Sequence, residues 1–185
     1  MGMAAPLYHT AEMVRALIDE TRHWPRYETV YGELLVTPAP RPWHQVVAGR
    51  VLLALGNYLE SERFGEVFMS PADISWGPDT LVQPDVFVVP LEEARALAWP
   101  SIRTLLLAAE ILSPSSGRAD RFTKRRLYQS VGTPLYWVID PDAAAAEVWT
   151  PADQFPRIER ERLIWTPPNA SRAFEITVER LLRPL

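Results

Sequence analysis

The chain has 185 residues, of which 48% are hydrophobic, which is enough for one compact domain with a sizeable core. We therefore predict a single domain over residues 1–185. Its 19 basic and 23 acidic residues leave a formal charge of −4, which excludes a protein that coats nucleic acid through a globally basic surface. Because the chain has no cysteine, any metal must be held by oxygen or imidazole ligands.

Targeting signals are missing from the sequence. No apolar run approaches the roughly 20 residues of a membrane span, and the N-terminus lacks the basic segment and apolar stretch of a signal peptide. These features predict a cytoplasmic protein with no membrane partner.

The first third of the chain predicts a helix, a hairpin and a longer helix. Thr10 is placed to cap an amphipathic segment over residues 11–18. Two β-prone runs, 27–30 and 33–37, flank a Tyr-Gly pair and predict a hairpin. Apolar residues at three-to-four spacing predict the longest helix over 43–62.

The middle of the chain predicts the centre of a sheet. Extended segments broken by proline or glycine are predicted to form a meander beside the hairpin, and they cover 66–69, 73–76, 80–83 and 86–89. A short helix is predicted over 91–99. The almost unbroken apolar run 104–112 is typical of a strand buried on both faces, which belongs at the sheet centre.

The last third begins with a basic amphipathic helix over 116–131. Strand character returns over 135–140 and 147–150. The tail, over 158–165 and 174–182, is predicted to add one or two outer strands and a last helix. The whole pattern predicts an α/β fold of the α+β kind. A mixed central sheet is flanked by helices, with an N-terminal helix and a β-hairpin.

Two carboxylates occupy unusual positions next to or within apolar strands. Asp85 precedes four apolar residues, and Glu110 interrupts an apolar run, where an unpaired ionised carboxylate would cost on the order of several kcal/mol. Two carboxylates on neighbouring strands suggest a hard divalent cation such as Mg²⁺, to which the backbone carbonyl of Ile111 could add a ligand. The alternative is that each carboxylate pairs with an arginine.

The basic residues follow a second pattern, since 18 of the 19 are arginine and Lys124 is the one lysine. Lys124 falls on one helical stripe with Arg121 and Tyr128, directly beyond the Glu110 strand. The overlapping stripe of Arg118, Arg121 and Arg125 is either a solvated face or a set of phosphate contacts.

Two further residues are weaker candidates. Glu33 begins the second hairpin strand, where an exposed charge is unremarkable. His44 could reach a phosphate or a metal from the start of the long helix, with capping or packing as the alternative. The sequence contains no Walker loop, no dinucleotide-binding glycine motif and no His-Glu-x-x-His zinc motif.

Six short segments occur in a fixed order: Arg26-Tyr27-Glu28, Gly32-Glu33-Leu34, Val82-Gln83-Pro84-Asp85, Glu110-Ile111-Leu112-Ser113-Pro114-Ser115, Lys124 to Tyr128, and Tyr136-Trp137-Val138-Ile139-Asp140-Pro141. In this order, over about residues 12–185, they resemble the Uma-type family of putative restriction endonucleases, of the PD-(D/E)XK phosphodiesterase superfamily. The resemblance implies a restriction-endonuclease-like core that presents an Asp, a Glu and a lysine at one edge of a mixed sheet.

The resemblance also implies roles for individual residues. Asp85 and Glu110 match the acidic positions of the superfamily motif. The usual lysine position is Leu112 here, and the family's lysine comes from the following helix, as Lys124. Glu33 matches a further acidic position of the site.

Two more residues, Gln83 and Tyr128, match family positions that support the site. The implied activity is a metal-dependent endonuclease that hydrolyses phosphodiester bonds in DNA. Asp85, Glu110, Ile111 and Glu33 would hold Mg²⁺ or Mn²⁺. Lys124 would orient or deprotonate the attacking water.

Arg118, Arg121, Arg125 and His44 are the predicted substrate contacts. Two alternatives stay open. One is a catalytically inactive scaffold of the same fold that binds nucleic acid or protein, and the other is a phosphodiesterase acting on another nucleotide. A homodimer would suit a double-strand cutter, although no residue pattern demands one.

Overall fold

A computed structural model of the protein describes residues 8–21 and 24–185. The helices are α1 (Ala11–Thr21), α2 (Pro42–Glu62), α3 (Leu91–Ala94), α4 (Arg125–Ser130) and α5 (Val178–Leu182). A 3₁₀ turn covers Trp99–Ser101, and a π-helical segment, Ala119–Lys124, leads directly into α4. The strands are β1 (Arg26–Val30), β2 (Glu33–Thr37), β3 (Gly65–Met69), β4 (Ile74–Gly77), β5 (Thr80–Val82), β6 (Val86–Pro90), β7 (Leu107–Ile111), β8 (Tyr136–Asp140), β9 (Ala145–Trp149), β10 (Arg157–Glu159), β11 (Arg162–Trp165) and β12 (Phe174–Thr177).

The main sheet has the strand order β10-β9-β8-β7-β6-β3. The β7–β8 pair is parallel, and the other neighbouring pairs are antiparallel. Every residue of β7 is buried, because strands lie on both sides of it and packed layers cover both faces. The predicted mixed sheet flanked by helices, with a buried central strand, is confirmed.

A smaller sheet has the order β2-β1-β5-β4. The predicted hairpin is confirmed, with β1 and β2 in antiparallel register from Arg26–Thr37 to Val30–Glu33. The predicted meander is only partly right, since β4 and β5 join the hairpin while β3 and β6 pair in the main sheet. The first four residues of β6 are apolar and wholly buried. Such a strand belongs in the main sheet, because packed layers cover both faces of that sheet.

The main sheet separates two apolar cores. On one face, α2 packs with α5 and the β11–β12 pair, through residues such as Val51 and Leu55. On the other face, the smaller sheet and α4 pack together, through residues such as Val82 and Leu127. α1 covers the smaller sheet with Ala11 and Val14. The candidate site lies on the face shared with the smaller sheet and α4.

Several predicted boundaries change. Thr10 caps α1 as predicted, since its hydroxyl accepts a hydrogen bond from Met13 N at 3.2 Å. The long helix covers Pro42–Glu62, close to the predicted 43–62, and Arg63 caps its C-terminus with a left-handed φ of 56°. Gly65 begins β3, where a Cβ would lie 2.8 Å from Val89 O. The predicted helix over 91–99 is limited to the four residues of α3.

None of the described helices is both long enough and apolar enough to span a membrane.

Candidate active site

The register of the main sheet brings Asp85 and Glu110 together. Val86 in β6 pairs with Ala109 in β7, so the next positions along the antiparallel pair are Asp85 and Glu110. Asp85 N lies 3.4 Å from Glu110 Oε2, and Ile111 N donates to Asp85 Oδ2 at 2.9 Å. The two carboxylates are therefore neighbours, as their positions on apolar strands predict.

Lys124 reaches these carboxylates from the π-helical segment. Its Nζ lies 3.1 Å from Glu110 Oε1, 3.0 Å from Glu28 Oε2 and 3.4 Å from Asp120 Oδ1, and its side chain is only 4% exposed. Tyr128, one turn later, donates its hydroxyl to Glu110 Oε1 at 3.2 Å. The helix thus contributes one inward face to the site, and π-helical turns are frequent at functional sites.

Asp85 has two basic partners of its own. Arg26 donates to its Oδ1 at 3.1 Å, and His44 Nε2 lies 2.9 Å from its Oδ2. The arginine alternative therefore holds for Asp85, whereas Glu110 pairs with a lysine. His44 lies within the site as predicted, but its contact is to Asp85.

Together these side chains form a buried acidic cluster with excess negative charge. Two fixed cations, Arg26 and Lys124, face four buried carboxylates, those of Glu28, Asp85, Glu110 and Asp120. A divalent cation would offset that excess.

Burial acts differently on the members of the acidic cluster. It opposes ionisation of Asp85, but the hydrogen bond and charge of His44, with Arg26, outweigh it and lower the pKa of Asp85. Burial raises the pKa of Glu110 well above its usual value, despite the charge of Lys124. Burial also raises the pKa of Asp120 to about 6.

The ammonium of Lys124 is held in its charged form. Burial alone would lower the pKa of Lys124, but the charges of Glu110, Glu28 and Asp120 outweigh burial and raise that pKa well above 10.5. A charged ammonium can donate a hydrogen bond but cannot accept a proton. The raised pKa therefore favours the predicted role of Lys124 in orienting water over its predicted role as a base, and both stay predictions.

Gln83 links the acidic cluster to the loop before β6. Its backbone N donates to Glu28 Oε1 at 2.8 Å, and its carbonyl accepts from Arg26 at 3.0 Å. Its side-chain amide donates to Asp73 at 2.8 Å. Gln83 therefore supports the site, as predicted, but through its backbone.

Glu33 does not join the acidic cluster. It lies exposed at the turn end of the hairpin, where its nearest polar contact is Thr123 Oγ1 at 3.5 Å. Paired residues of a hairpin share a face, so Glu33 shares a face with Glu28 but lies beyond the packed part of the sheet. Glu28, five residues earlier, lies in the acidic cluster instead, and the predicted role of Glu33 in the site stays a prediction.

Two of the three predicted phosphate-binding arginines have protein partners. Arg121 pairs with Asp140 at 2.8 Å and with Glu147 at 2.5 Å. Arg125 donates to Gln129 at 2.6 Å, and its guanidinium carbon lies 4.7 Å from the centre of the Trp149 ring. Arg118 is exposed and stays available for a phosphate.

The sequence analysis missed three members of the site, namely Arg26, Glu28 and Asp120. Arg26 and Glu28 alternate along β1, a spacing that puts both side chains on one face. Asp120 precedes Lys124 by four residues, the spacing of a helical ion pair. Those spacings were available signals, although neither distinguishes a buried residue from an exposed one.

The residues present fit a divalent cation by their chemistry. Asp85 and Glu110 are hard oxygen ligands, and Mg²⁺ takes one or two protein carboxylates with water completing its shell. Glu28 Oε2 and Asp120 Oδ1 are buried and share the ammonium of Lys124, at 3.0 and 3.4 Å, with Glu110. Neither oxygen makes a well-aligned hydrogen bond, so acceptor capacity remains. Among the described residues, no three acidic or histidine side chains form a ready-made ligand set. The protein would therefore supply two carboxylates rather than a complete cage.

The acidic cluster opens into a narrow cleft whose enclosed volume is about 20 Å³. Asp85, Glu110, Ile111 and Lys124 line its floor, together with Asp120. A phosphodiester could approach the carboxylates and the ammonium from this side.

The chain was compared with known proteins. The model of the Uma2 family, described as "Putative restriction endonuclease", matches residues 11–179 and confirms the resemblance of the ordered segments. The fold is similar to that of a putative nuclease belonging to DUF820 from Anabaena variabilis ATCC 29413, with a TM-score of 0.70 and 22% sequence identity. That similarity covers 89% of this chain and 96% of the other chain. No curated protein matches the sequence.

Proposed function

The chain belongs to the Uma2 family, and we propose that it is a metal-dependent nuclease that hydrolyses phosphodiester bonds in DNA. The observation that carries this proposal is the placement of Asp85 and Glu110 side by side, with the buried ammonium of Lys124 3.1 Å from Glu110, at the floor of an open cleft. Buried charges at a cleft are typical of active sites, and metal-assisted phosphodiester hydrolysis needs paired carboxylates and a cation of this kind.

Asp85 and Glu110 would hold Mg²⁺ or Mn²⁺, with the carbonyl of Ile111 as a further ligand. Such an ion polarises a phosphate and acidifies a water molecule. Because Arg26 and His44 each contact one oxygen of Asp85, they hold that carboxylate ionised and fixed toward the cleft. Tyr128 fixes Glu110 in the same way.

Lys124 would stabilise the negative charge that develops on the phosphate. Its ammonium carries a compact charge, and three carboxylates hold that charge in place before any substrate arrives. Arginine, with its planar and delocalised charge, would not fit the same three contacts. The buried position thus accounts for the one lysine in a chain that otherwise uses arginine.

DNA would reach the cleft across Arg118. The net charge of −4 predicts weak and salt-sensitive binding, since few cations are available to displace counterions from the phosphates.

The proposal is tested by incubating plasmid and single-stranded DNA with the protein and Mg²⁺ or Mn²⁺. Cleavage is expected with metal and not with EDTA. Asp85→Asn and Glu110→Gln should each lose at least about 100-fold in rate while they stay folded, since each removes a charge from the reacting centre. Glu175→Gln, in an exposed ion pair on β12, is the matched control and should cleave normally. Equal rates in all of these proteins would contradict the proposal.

A second candidate function is a non-catalytic scaffold that binds nucleic acid or protein. The observation that favours it is the engagement of both Asp85 oxygens by Arg26 and His44, which could replace a metal. A scaffold would bind DNA equally well with and without Mn²⁺ and would leave it intact. A phosphodiesterase for another nucleotide would use the same residues, and it would cleave small diesters but not DNA.

A further inference from the structure

Trp24 stands at the wall of the cleft that contains the acidic cluster. It lines the same cleft as Asp85, Glu110 and Lys124, and 43% of its surface is exposed. Most large aromatic side chains of this chain are buried or half-buried in the described structure, so an indole left open beside buried charges is unusual. An aromatic ring next to a phosphate-binding site has the chemistry to stack on a nucleobase.

The Trp24 ring is tied to the acidic cluster. The guanidinium carbon of Arg26 lies 5.6 Å from the centre of the ring, within the range of a cation–π contact. Arg26 is itself held by Asp85 Oδ1 at 3.1 Å and by Gln83 O at 3.0 Å. One guanidinium thus fixes the distance between the ring and the carboxylate that would hold the metal.

The rest of the cleft wall suits a nucleotide without selecting its base. The additional lining residues are Thr37, Pro38, Pro40, Ser113 and Ser116. Hydroxyl groups can donate to phosphate or sugar oxygens, and proline rings offer apolar contact. Among the described lining residues there is no asparagine or glutamine, and carboxylates already hold Arg26 and Lys124, so these side chains are not free to read a base edge.

The enclosed space beside the acidic cluster is about 20 Å³, which is room for about one water molecule. A nucleobase would therefore lie outside that space, on the exposed part of the Trp24 ring. In a duplex, each base is covered on both faces by its neighbours. A base must leave that stack before an indole can cover it.

We propose that Trp24 stacks on the base next to the phosphate held over Asp85 and Glu110, so that the protein acts on single-stranded or unpaired nucleic acid rather than on intact duplex. This inference rests on the proposed nuclease function. According to this inference, the positioning residue Trp24 determines whether the protein prefers single strands or duplex. The stacking does not depend on which base is present.

The test measures binding by fluorescence anisotropy with Ca²⁺ in place of Mg²⁺ or Mn²⁺, since Ca²⁺ also takes carboxylate oxygens, and a gel after each titration checks that the probes are intact. The probes are a fluorescein-labelled 12-mer of thymidine, the same strand paired with its complement, and a strand of equal length with abasic sugars. Wild-type protein should bind the thymidine strand at least 10-fold more tightly than the duplex or the abasic strand. Trp24→Ala should lose that preference, and Trp24→Phe should keep most of it, because a phenyl ring still stacks.

Phe155→Ala is the matched control, since Phe155 is 81% exposed and does not line the cleft. It should bind all three probes like the wild type. The inference is overturned if Trp24→Ala binds the thymidine strand like the wild type, or if it weakens all three probes equally. Thermal unfolding of each variant confirms that the fold is kept.

Binding and cleavage separate this inference from the nuclease proposal. Metal-dependent cleavage with no effect of Trp24→Ala on binding or rate would overturn the stacking role alone. A Trp24-dependent preference for single strands with no cleavage under any metal would overturn the nuclease proposal and leave the stacking role in place.

Discussion

Lys124 and Arg121 lie three residues apart on the same helical segment, and carboxylates outnumber each of them. Lys124 faces three carboxylates and is 4% exposed, whereas Arg121 faces two and is 36% exposed. The buried group opens into a cleft, and the exposed group joins the helix to β8 and β9.

The pKa of a carboxyl group shifts in opposite directions beside the exposed Arg121 and beside the buried Lys124. Burial opposes ionisation of Asp140, but the backbone N–H of Ala143 and the side chain of Arg121 outweigh it and lower the pKa of Asp140. Burial of Asp120 is not outweighed, and it raises the pKa of that carboxyl to about 6. The exposed group is thus satisfied by its own contacts. The buried group has more carboxyl groups than fixed cations, and burial together with that surplus raises the pKa of Glu110 and Asp120.

The largest expected effect separates the two cations by stability. Lys124→Met should lose about 3–5 kcal/mol of unfolding free energy at pH 7, because it leaves buried carboxylates without a counter-charge. Arg121→Met should lose only about 1 kcal/mol or less, since water replaces the ion pair. Urea unfolding measures both values. Equal losses would remove the distinction between the two groups.

A second effect should have opposite signs in the two groups. Without metal, Glu110→Gln should raise the unfolding free energy on the order of 1 kcal/mol, because an amide keeps the contacts of Lys124 and Tyr128 and removes a buried charge. Glu147→Gln should lower it slightly, since it weakens the contact with Arg121. The same urea experiment at pH 7 gives both values, and a destabilised Glu110→Gln protein would contradict the account.

The sequence predicted part of this contrast. Asp85, Glu110 and Lys124 were found because charged residues beside or beyond apolar strands need partners, and the ordered segments assigned them roles. Glu28 was not predicted as a member of the site, because the depth at which each strand residue lies depends on tertiary packing. For the same reason, one stripe of arginines could not be divided into the paired Arg121 and the available Arg118.

The pH dependence of stability should also differ between Asp120 and Asp140. The pKa of Asp120 is raised from 3.8 to about 6, so its stabilising contribution is present below pH 3.8 and is lost as the pH rises toward 6. The free energy of unfolding of Asp120→Asn should therefore increase relative to that of the wild type as the pH rises from 4 to 7.

The control variant for this experiment is Asp140→Asn. The pKa of Asp140 is lowered, so its contribution is present above 3.8 and is lost as the pH falls. Asp140→Asn should have a lower free energy of unfolding than the wild type at pH 7, and this difference should disappear at acidic pH. Denaturant unfolding across this pH range measures both differences, and parallel curves for the two variants would refute the assignment.

The smallest expected effect concerns DNA binding by the exposed arginines. Arg118→Gln should weaken binding a few-fold and reduce the slope of log affinity against log salt by about 1, as expected for one lost phosphate contact. Arg121→Gln should leave that slope unchanged, because Asp140 and Glu147 already occupy its guanidinium. Anisotropy titrations at several salt concentrations compare the two. A larger effect of Arg121→Gln would mean that its ion pairs open to DNA.

Calorimetric titration of the protein with Mn²⁺ tests the central claim, that Asp85 and Glu110 form a divalent-metal site. The wild type should bind one or two ions, and Glu110→Gln and Asp85→Asn should lose that binding. Glu33→Gln and Glu175→Gln should keep it, because neither residue belongs to the acidic cluster. No heat of binding in the wild type, or equal binding in Glu110→Gln, would contradict the account.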